Sequence, residues 1–586
     1  MKHLRQYFFV AIFLLFAASC RADTLGQSQP FFISPQFDIR SRTQVSAVLA
    51  AISNRAYFYV ESSYWTGVSS DVRNQTLDEI ASLGKEFDQR IYPIETQFFG
   101  SEPNPGIDGD PKITILLSPL AENAGGYFDT ANEYKMGQVP NSNEREMVYL
   151  NIAALSDQGK IRAFLAHEFQ HLISFNQKEK LRNVADDTWL NELRSEYAIT
   201  LLGYNDSFPS SNLGNRLRSF VGNPSDSLTE WKNIPADYGQ IDLFGEYLAE
   251  HWSPKVIADT LDSSSIGIAS INDALKQNGF SDSFLDIFSQ WTAANILNDA
   301  SVNPRFGYVR DGLKTFHIAP TKTFSNLSDN VTLVLSDIIK DWQGKWYEVS
   351  QFANGGKNTL EINFSSPSLV SFNVYYLILK TDGSQTLSLF TPTVSSSGLY
   401  ISGIGADVKK VLLMPVKKDK ISGFTADETA VPLVLSVDRA ESAPQEAVIA
   451  PALIPTPAPP AAAIQFPLVG IPDGSLIRAE GDYKVYVVNG HWRRHITSSQ
   501  IFNFYPQFGF DKVKIVSPSI LVQYQESDLI RYQLGQKVYD VDETGLKHWL
   551  NMSAEQFSAS GRDWSSIFVV NLGELNFYSV GSTIIR

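Results

Sequence analysis

The pentapeptide His167-Glu168-Phe169-Gln170-His171, between Phe164-Leu165-Ala166 and Leu172-Ile173-Ser174-Phe175, constrains this chain more than any other feature. On a helix, residues four apart point to one side about one turn apart, so both imidazoles can bind a single metal ion. Glu168 adjoins the first His and reaches the open side of such an ion, where a carboxylate can act as a general base on water. The chain has only 8 His among 586 residues, so a His-rich composition does not account for the spacing. The competing reading is a surface helix that carries these residues for no chemical purpose.

A second segment weighs against that reading. Trp189-Leu190-Asn191-Glu192-Leu193-Arg194-Ser195-Glu196-Tyr197-Ala198 reads as another helix, with Asp186, Asp187 and Thr188 as N-cap candidates and Gly203 as a stop. Trp189, Leu190, Leu193, Tyr197, Leu201 and Leu202 supply an apolar face. Glu192 and Glu196 lie four apart and share a side, which a buried stripe does not tolerate unless something cationic faces them. Catalytic zinc takes three protein ligands and keeps a fourth position for water. Two His leave one ligand missing, and Glu192 is the choice for it. Glu196 is then expected to hydrogen-bond a ligand imidazole and fix its tautomer. A solvated acidic face is the alternative for this pair.

HEFQHLISF followed by WLNELRSEYA resembles the gluzincins, the thermolysin-like zinc peptidases with HExxH and a downstream Glu ligand. Within them the chain is most similar to the hyicolysin family, whose second motif usually reads WLNEGLSEYA. The resemblance implies His167, His171 and Glu192 as zinc ligands, Glu168 as general base and Glu196 as the acidic support of a ligand His. It runs from about Phe31 to about Phe316, taking in Pro105-Gly106-Ile107-Asp108-Gly109-Asp110-Pro111-Lys112 and Glu144-Arg145-Glu146-Met147-Val148-Tyr149, but only the two zinc motifs are specific. Leu193-Arg194 departs from the family's Gly-Leu. Leu keeps the helix, so the change bears on packing near the metal and on how open the cleft is. The metzincin pattern is excluded, because it needs Gly where Ser174 stands and a third His where Gln177 stands.

What the resemblance implies chemically is peptide hydrolysis by an activated water, with Glu168 passing the proton on to the leaving amine. An oxyanion donor is also required. Gluzincins often place a Tyr or His downstream of the Glu ligand, which makes Tyr238 the first candidate and His251 the second. Each has a plainer reading: Tyr238 as a core aromatic at a helix start, His251 as a helix-end cap.

Lys2 and Arg5 precede an apolar run from Phe8 to Ala18, the pattern of a signal peptide over residues 1–22. Phe16-Ala17-Ala18-Ser19-Cys20 fits a bacterial lipobox loosely, and Cys20 is the only Cys in the chain, so a lipid anchor at the membrane is one reading. Ordinary cleavage nearby, for instance after Ala22, is the other. Either way the protein is expected outside the cytoplasm, on the cell surface or secreted. One Cys allows no internal disulfide, so stability must come from hydrophobic cores. Residues 23 to 40 are too few for a folded inhibitory pro-domain. A net charge of −15 argues against nucleic acid as a partner. Acidity suits calcium, but Asp108-Gly109-Asp110 lacks the length and the later Glu of an EF-hand and reads as a turn between strands. Ca2+ has no other support in the sequence.

The composition suggests an α+β chain. Residues 25–318 alternate strand-like runs (Ile113–Leu117, Met147–Leu150) with helices around 157–177, 188–202, 239–251 and 283–297, as a zincin-like catalytic unit would. Residues 325–440 break into short β-rich runs with Gly, Asn, Ser and Asp turns, the texture of an antiparallel sandwich. Residues 442–464 form a Pro/Ala linker, and 465–586 carry two tandem copies of a β-rich repeat. Lys484-Val485-Tyr486-Val487 through Arg494-His495 matches Lys537-Val538-Tyr539-Asp540 through Lys547-His548. Their aromatics could contact glycan or cell-wall polymer, although core packing is the commoner use of such rings. His495 and His548 are read as structural.

Two function classes follow. The first is a secreted or surface-anchored zinc endopeptidase acting on protein or peptide substrates. The second is a catalytically inactive surface binding or adhesion protein on a peptidase scaffold. The intact set of His167, Glu168, His171 and Glu192 favours the first.

Overall fold

The computed structural model describes residues 23–443 apart from 354, 367–371 and 393–397, and residues 452–453 and 471–585 apart from 480–483, 506, 517, 522–523, 533–536, 543–544, 561 and 582. Residues 1–22, read above as a signal peptide, and most of the Pro/Ala stretch lie outside the described residues. The class is α+β. Two compact units divide the chain, Met1–Thr456 and Pro457–Arg586.

The first unit opens with a mixed sheet of β1 (Ser28–Phe32), β2 (Gln44–Ile52), β3 (Ala56–Glu61), β4 (Ile113–Ser118), β5 (Gly126–Phe128) and β6 (Met147–Asn151), in the order β1-β2-β3-β4-β6-β5. β3, β4 and β6 run parallel, and β5 lies antiparallel to β6 at the edge. All six residues of β4 are buried, as a continuous apolar run covered on both faces requires. The two-residue period sorts these side chains. Phe58, Val60, Ile115, Leu117, Val148 and Leu150 join the large core beneath the helices, while Tyr57, Tyr59, Leu116 and Tyr149 pack with Phe31, Val45 and Leu49 in a smaller one.

The helices are α1 (Ser62–Gly67), α2 (Ser70–Glu86), α3 (Tyr92–Phe99), α4 (Gln158–Phe175), α5 (Thr188–Leu201), α6 (Asn212–Gly222), α7 (Pro235–His251), α8 (Pro254–Asp259), α9 (Gly267–Gln277) and α10 (Phe284–Leu297). α4 starts where the Asp157 side chain accepts from the Lys160 amide, and it presses Ile161, Leu165, Phe169 and Leu172 onto the sheet. α5 ends at Leu202, and Gly203 takes the left-handed conformation beyond it, with φ 73°. Its start differs from expectation. Asp187 occupies the N-cap position, but its carboxylate accepts from the amide of Gly423 at 2.9 Å and makes no capping bond to the first backbone amides of α5.

Residues 322–440 add two further sheets. β7 (Lys322–Ser325), β8 (Leu333–Ile339), β9 (Tyr347–Ser350), β10 (Thr359–Ser365), β11 (Phe372–Lys380), β12 (Gln385–Phe390), β13 (Gly398–Ser402), β14 (Val408–Lys417) and β15 (Val431–Ala440) form the orders β13-β10-β15-β8 and β12-β11-β14-β9-β7. Ala452 and Leu453, inside the stretch read as linker, pair with β12. Val374, Tyr376, Val411 and Leu413 face the interior between these sheets, whereas Tyr375, Leu377, Leu412 and Met414 point the other way, into the core shared with α10. Trp346 closes the join: it is 1% exposed, and its indole N–H donates to the Thr292 carbonyl at 2.8 Å. The helical part and the sheets after it therefore rest on one continuous core.

In the second unit two sheets follow the same order. One runs Lys514–Val516, Leu476–Ala479, Tyr486–Asn489, Trp492–His495, Gln525–Glu526. The other runs Phe568–Val570, Leu529–Tyr532, Val538–Val541, Leu546–Asn551, Ser579–Val580. Arg494, 3% exposed, bonds the Tyr578 hydroxyl at 3.1 Å and pairs with Glu574 at 2.7 Å, tying the first sheet to the helix and strand that complete the second. Among the described residues no helix is long and apolar enough to cross a membrane.

Replacing Trp346 by Ala removes a buried indole and leaves the Thr292 carbonyl without its donor. The expected loss is about 3–5 kcal/mol of unfolding free energy, read from urea denaturation followed by fluorescence.

Candidate metal centre

α4 and α5 pack side by side and bring His167, His171 and Glu192 to one point. His167 Nε2 lies 3.1 Å from His171 Nε2 and 3.3 Å from Glu192 Oε2, and His171 Nε2 lies 3.6 Å from the same oxygen. Bonds of about 2.0–2.1 Å to a tetrahedral ion set ligand atoms roughly 3.3 Å apart, so this triangle has the edges of a zinc site. Among the described residues these three form a group of His and Glu side chains whose ligand atoms lie close enough together to hold one metal ion.

The surrounding hydrogen bonds say which way the lone pairs point. Glu196 Oε1 lies 3.4 Å from His167 Nδ1. Arg216 binds both Glu196 oxygens, at 2.7 and 3.1 Å, and Asn212 donates to one at 2.6 Å, so that carboxylate is fixed and charged. Its pKa is held down at about 2: burial alone would raise it, and Arg216 and His167 outweigh burial. On the second imidazole the Ser195 hydroxyl donates to Gln170 Oε1 at 2.7 Å, which leaves its oxygen to accept from His171 Nδ1 at 3.1 Å. Both rings thus carry the proton on Nδ1 and turn an Nε2 lone pair inward. Three acceptors facing one another repel unless a cation lies between them. Glu192 Oε2 is buried with no hydrogen-bond donor. Burial disfavours charge on His167, yet the Glu192 and Glu196 carboxylates push its pKa well up, a demand for positive charge that a metal ion meets as well as a proton does.

Glu168 points from α4 toward the sheet edge and is 6% exposed. Burial raises its pKa, with His167 and His171 working against the rise. β5 passes so close that a Cβ on Gly126 would stand 2.9 Å from Glu168 Cγ, and one on Gly125 would stand 2.5 Å from the Phe164 ring. Two glycines in succession are what let the edge strand approach this carboxylate.

Tyr238, in the first turn of α7, lies under the Arg216 guanidinium at 4.2 Å, and its hydroxyl donates to Asn233 Oδ1 at 3.1 Å. Burial, then the charges of Glu192 and Glu196, raise its pKa, so it stays a protonated donor. His251 sits at the other end of α7, about 20 Å along the axis. Its Nε2 donates to the Gly307 carbonyl at 2.9 Å, and burial lowers its pKa to about 4. It belongs to that helix end and not to the ligand cluster.

The sequence reading missed Ser195, Gln170, Asn212 and Arg216. The first two sit at unassigned positions of the two motifs, where spacing alone says nothing. Asn212 and Arg216 come from α6, whose approach no local pattern announces. Asp108-Gly109-Asp110 forms a turn, with the Asp110 amide donating to Asp108 Oδ1 at 2.8 Å and Gly109 at φ 80°.

No family model matches the chain. Over 194 residues it is 28% identical to the neutral metalloprotease ShpI of Staphylococcus hyicus, covering 29% of this chain and 41% of that protein. The chain is related to a metalloprotease. It spans less than half of that relative's length. Among solved structures it aligns with BtGH115A, a family GH115 4-O-methyl-alpha-glucuronidase, at TM-score 0.12 and 8% identity over 57% of this chain and 52% of that one, a likeness too slight to carry any argument.

Ser195→Ala deletes the acceptor for His171 Nδ1 and leaves the ring free to change tautomer. Metal affinity is expected to fall by about 10–100-fold, measured by competition with a chelator of known strength.

Proposed function

We propose that this chain is a zinc-dependent endopeptidase of the gluzincin type, similar to the hyicolysins, which acts outside the cytoplasm. The observation that carries the reading is the His167–His171–Glu192 triangle with Glu168 beside it at the sheet edge. His167, His171 and Glu192 are the ligands, Glu196 and Ser195 orient the two imidazoles, and residues 25–318 are the zincin-like unit around them. Zinc held there would supply Lewis acidity toward water and toward the scissile carbonyl.

The remaining work falls to the chain. β5 offers its free edge to an extended peptide, in the manner of strand addition. Glu168 accepts the proton of the attacking water and later delivers it to the departing amine nitrogen. Its raised pKa suits a group that must both take and give a proton. Tyr238, kept protonated, is the donor assigned to the developing oxyanion. The secretion signal at residues 1–22 puts the reaction outside the cytoplasm, anchored through lipid at Cys20 or released. The two sheets of like order in the second unit support a tandem repeat at 465–586, with cell-wall or glycan contact as its proposed use. Lost activity on a binding scaffold is disfavoured, because each position of the zinc set is intact.

Glu168→Gln keeps the ligands and removes the base. Zinc content is expected to stay at one per chain while casein cleavage disappears; cleavage that persists sinks the assignment. Glu192→Ala is expected to lose the metal as well. The pH profile provides a separate check. Glu168 works deprotonated, so kcat/KM is expected to fall on the acid side as the carboxylate takes up a proton. A profile with no acid limb contradicts the assignment.

A further inference from the structure

In the second unit each repeat leaves an aromatic ring outside its core, at the same place in both copies. The first copy passes through the short 3-10 turn Phe510–Lys512 into the edge strand Lys514–Val516, and the second through Trp564–Ser566 into Phe568–Val570. Each edge strand pairs in parallel with the first strand of its copy, Leu476–Ala479 or Leu529–Tyr532. Phe510 and Trp564 both stand four residues ahead of that strand. Phe510 is 72% exposed and Trp564 50%. Each leans on a phenylalanine that belongs to a core, Phe502 at 5.1 Å between ring centres and Phe557 at 4.2 Å. The Trp564 indole N–H donates to Ser558 Oγ at 3.1 Å, and Asp563 caps the turn by accepting from the Ser565 amide at 2.7 Å. That ring is therefore held in place while half of its surface meets solvent.

Single exposed apolar side chains are ordinary and need no explanation. Here two turns of otherwise different sequence, Gly509-Phe510-Asp511-Lys512 and Asp563-Trp564-Ser565-Ser566, keep an exposed aromatic at the matching position. Beside Phe510 lies an open cavity of about 390 Å3, lined by the rings of Phe502, Phe508 and Phe510 and by Ser499, Gln500 and Asn503. The three polar side chains offer donors and acceptors without charge, the mixture that suits a neutral, hydroxyl-rich ligand. A nucleic acid would stack on such rings as well, but its phosphates call for cations, and no Lys or Arg lines this cavity.

We propose that Phe510, with the cavity beside it, and Trp564 are two stacking platforms for an uncharged chain of β-1,4-linked pyranose sugars. Such sugars carry their hydroxyls around the rim and leave a flat face of C–H groups, which the electron-rich face of an aromatic ring attracts. Two platforms on one unit hold a polymer more tightly than either holds a short oligomer, wherever a strand reaches both. The assignment rests on the reading of the second unit as a cell-wall or glycan contact and gives it a site; it is independent of the zinc chemistry.

The test is isothermal titration of the full chain, zinc-loaded and in the Glu168→Gln background, with chitohexaose and with cellohexaose, beside co-sedimentation with purified cell-wall sacculi and with phosphatidylcholine vesicles. The parent is expected to bind at least one hexaose. Phe510→Ala and Trp564→Ala should each lose part of that binding, and the double variant at least about tenfold in apparent affinity. Val580→Ala, which trims an 80% exposed side chain elsewhere in the unit, should bind as the parent does. A parent that binds neither hexaose overturns the proposal, and so does binding that survives the double variant. Should the Ala variants not fold, Phe510→Leu and Trp564→Leu keep apolar cover without a π face, and undiminished binding by that pair overturns the site. Sacculi that still sediment the double variant leave the wall-contact reading standing with these platforms wrong, whereas sacculi that fail to sediment even the parent end both. Vesicle binding that disappears in the double variant, with no hexaose bound by the parent, makes the rings a lipid-surface contact and overturns the sugar site.

Discussion

The convergence of three lone pairs between α4 and α5 is the constraint on which the rest of the first unit depends. Two imidazole nitrogens and one carboxylate oxygen sit within 3.6 Å of one another, with no donor for that oxygen. Such a cluster is stable only if something positive occupies it and if the rings cannot rotate away. The second condition explains much of the surrounding polar structure. Glu196 is locked by Arg216 and Asn212 and holds His167 Nδ1, while Ser195 is committed to Gln170 and accepts from His171 Nδ1. Each imidazole therefore has one nitrogen fixed from behind, and its other nitrogen is left for the centre.

Much of this was legible in the sequence because local rules agree with the final packing. The four-residue spacings His167/His171 and Glu192/Glu196 survive folding because helices α4 and α5 form where apolar periodicity places them. Gly203 stops α5 by the conformation glycine permits. What stayed illegible arises between segments. Arg216 lies on a helix with its own amphipathic pattern, and only the approach of α6 to α5 makes it a partner of Glu196. Asp187 looks like an N-cap by type and position, yet the loop at Gly423 claims its carboxylate first. The boundary near residue 320 reads as a change of texture, but alternate residues of β11 and β14 serve two interiors, so one core runs across it. A two-residue period records which positions are apolar and not which layer each face meets.

Arg194 is one of the two residues, with Leu193, at which the chain departs from the WLNEGLSEYA motif it resembles, and its setting shows how such a change is accommodated. The side chain is 0% exposed. An unpaired charge there would cost several kcal/mol, on the order of what breaking a buried pair costs. It is paired: Nη1 bonds Asp186 at 2.9 Å and Thr260 Oγ1 at 3.1 Å, and Nε lies 3.4 Å from Ser174 Oγ. Asp186 in turn accepts from the amides of Asp187 and Gly267. The guanidinium thus links the start of α5 to the end of α8 and to Ser174 in the last turn of α4.

That link reaches the metal centre by a continuous set of polar contacts. Ser174 and Gln170 share a hydrogen bond one turn apart on α4, at 2.9 Å from Gln170 Nε2 to Ser174 Oγ. Gln170 Oε1 takes the Ser195 proton, and the Ser195 oxygen faces His171 Nδ1. Arg194 Nε and Gln170 Nε2 both face Ser174 Oγ, and the Ser174 hydroxyl lies 3.2 Å from Gln170 Oε1. A flipped amide would present N–H to the Ser195 hydroxyl, reverse that hydroxyl, and remove the acceptor that keeps the His171 proton on Nδ1. Arg194, at one of the two positions that depart from WLNEGLSEYA, is thus joined to the His171 imidazole through four contacts.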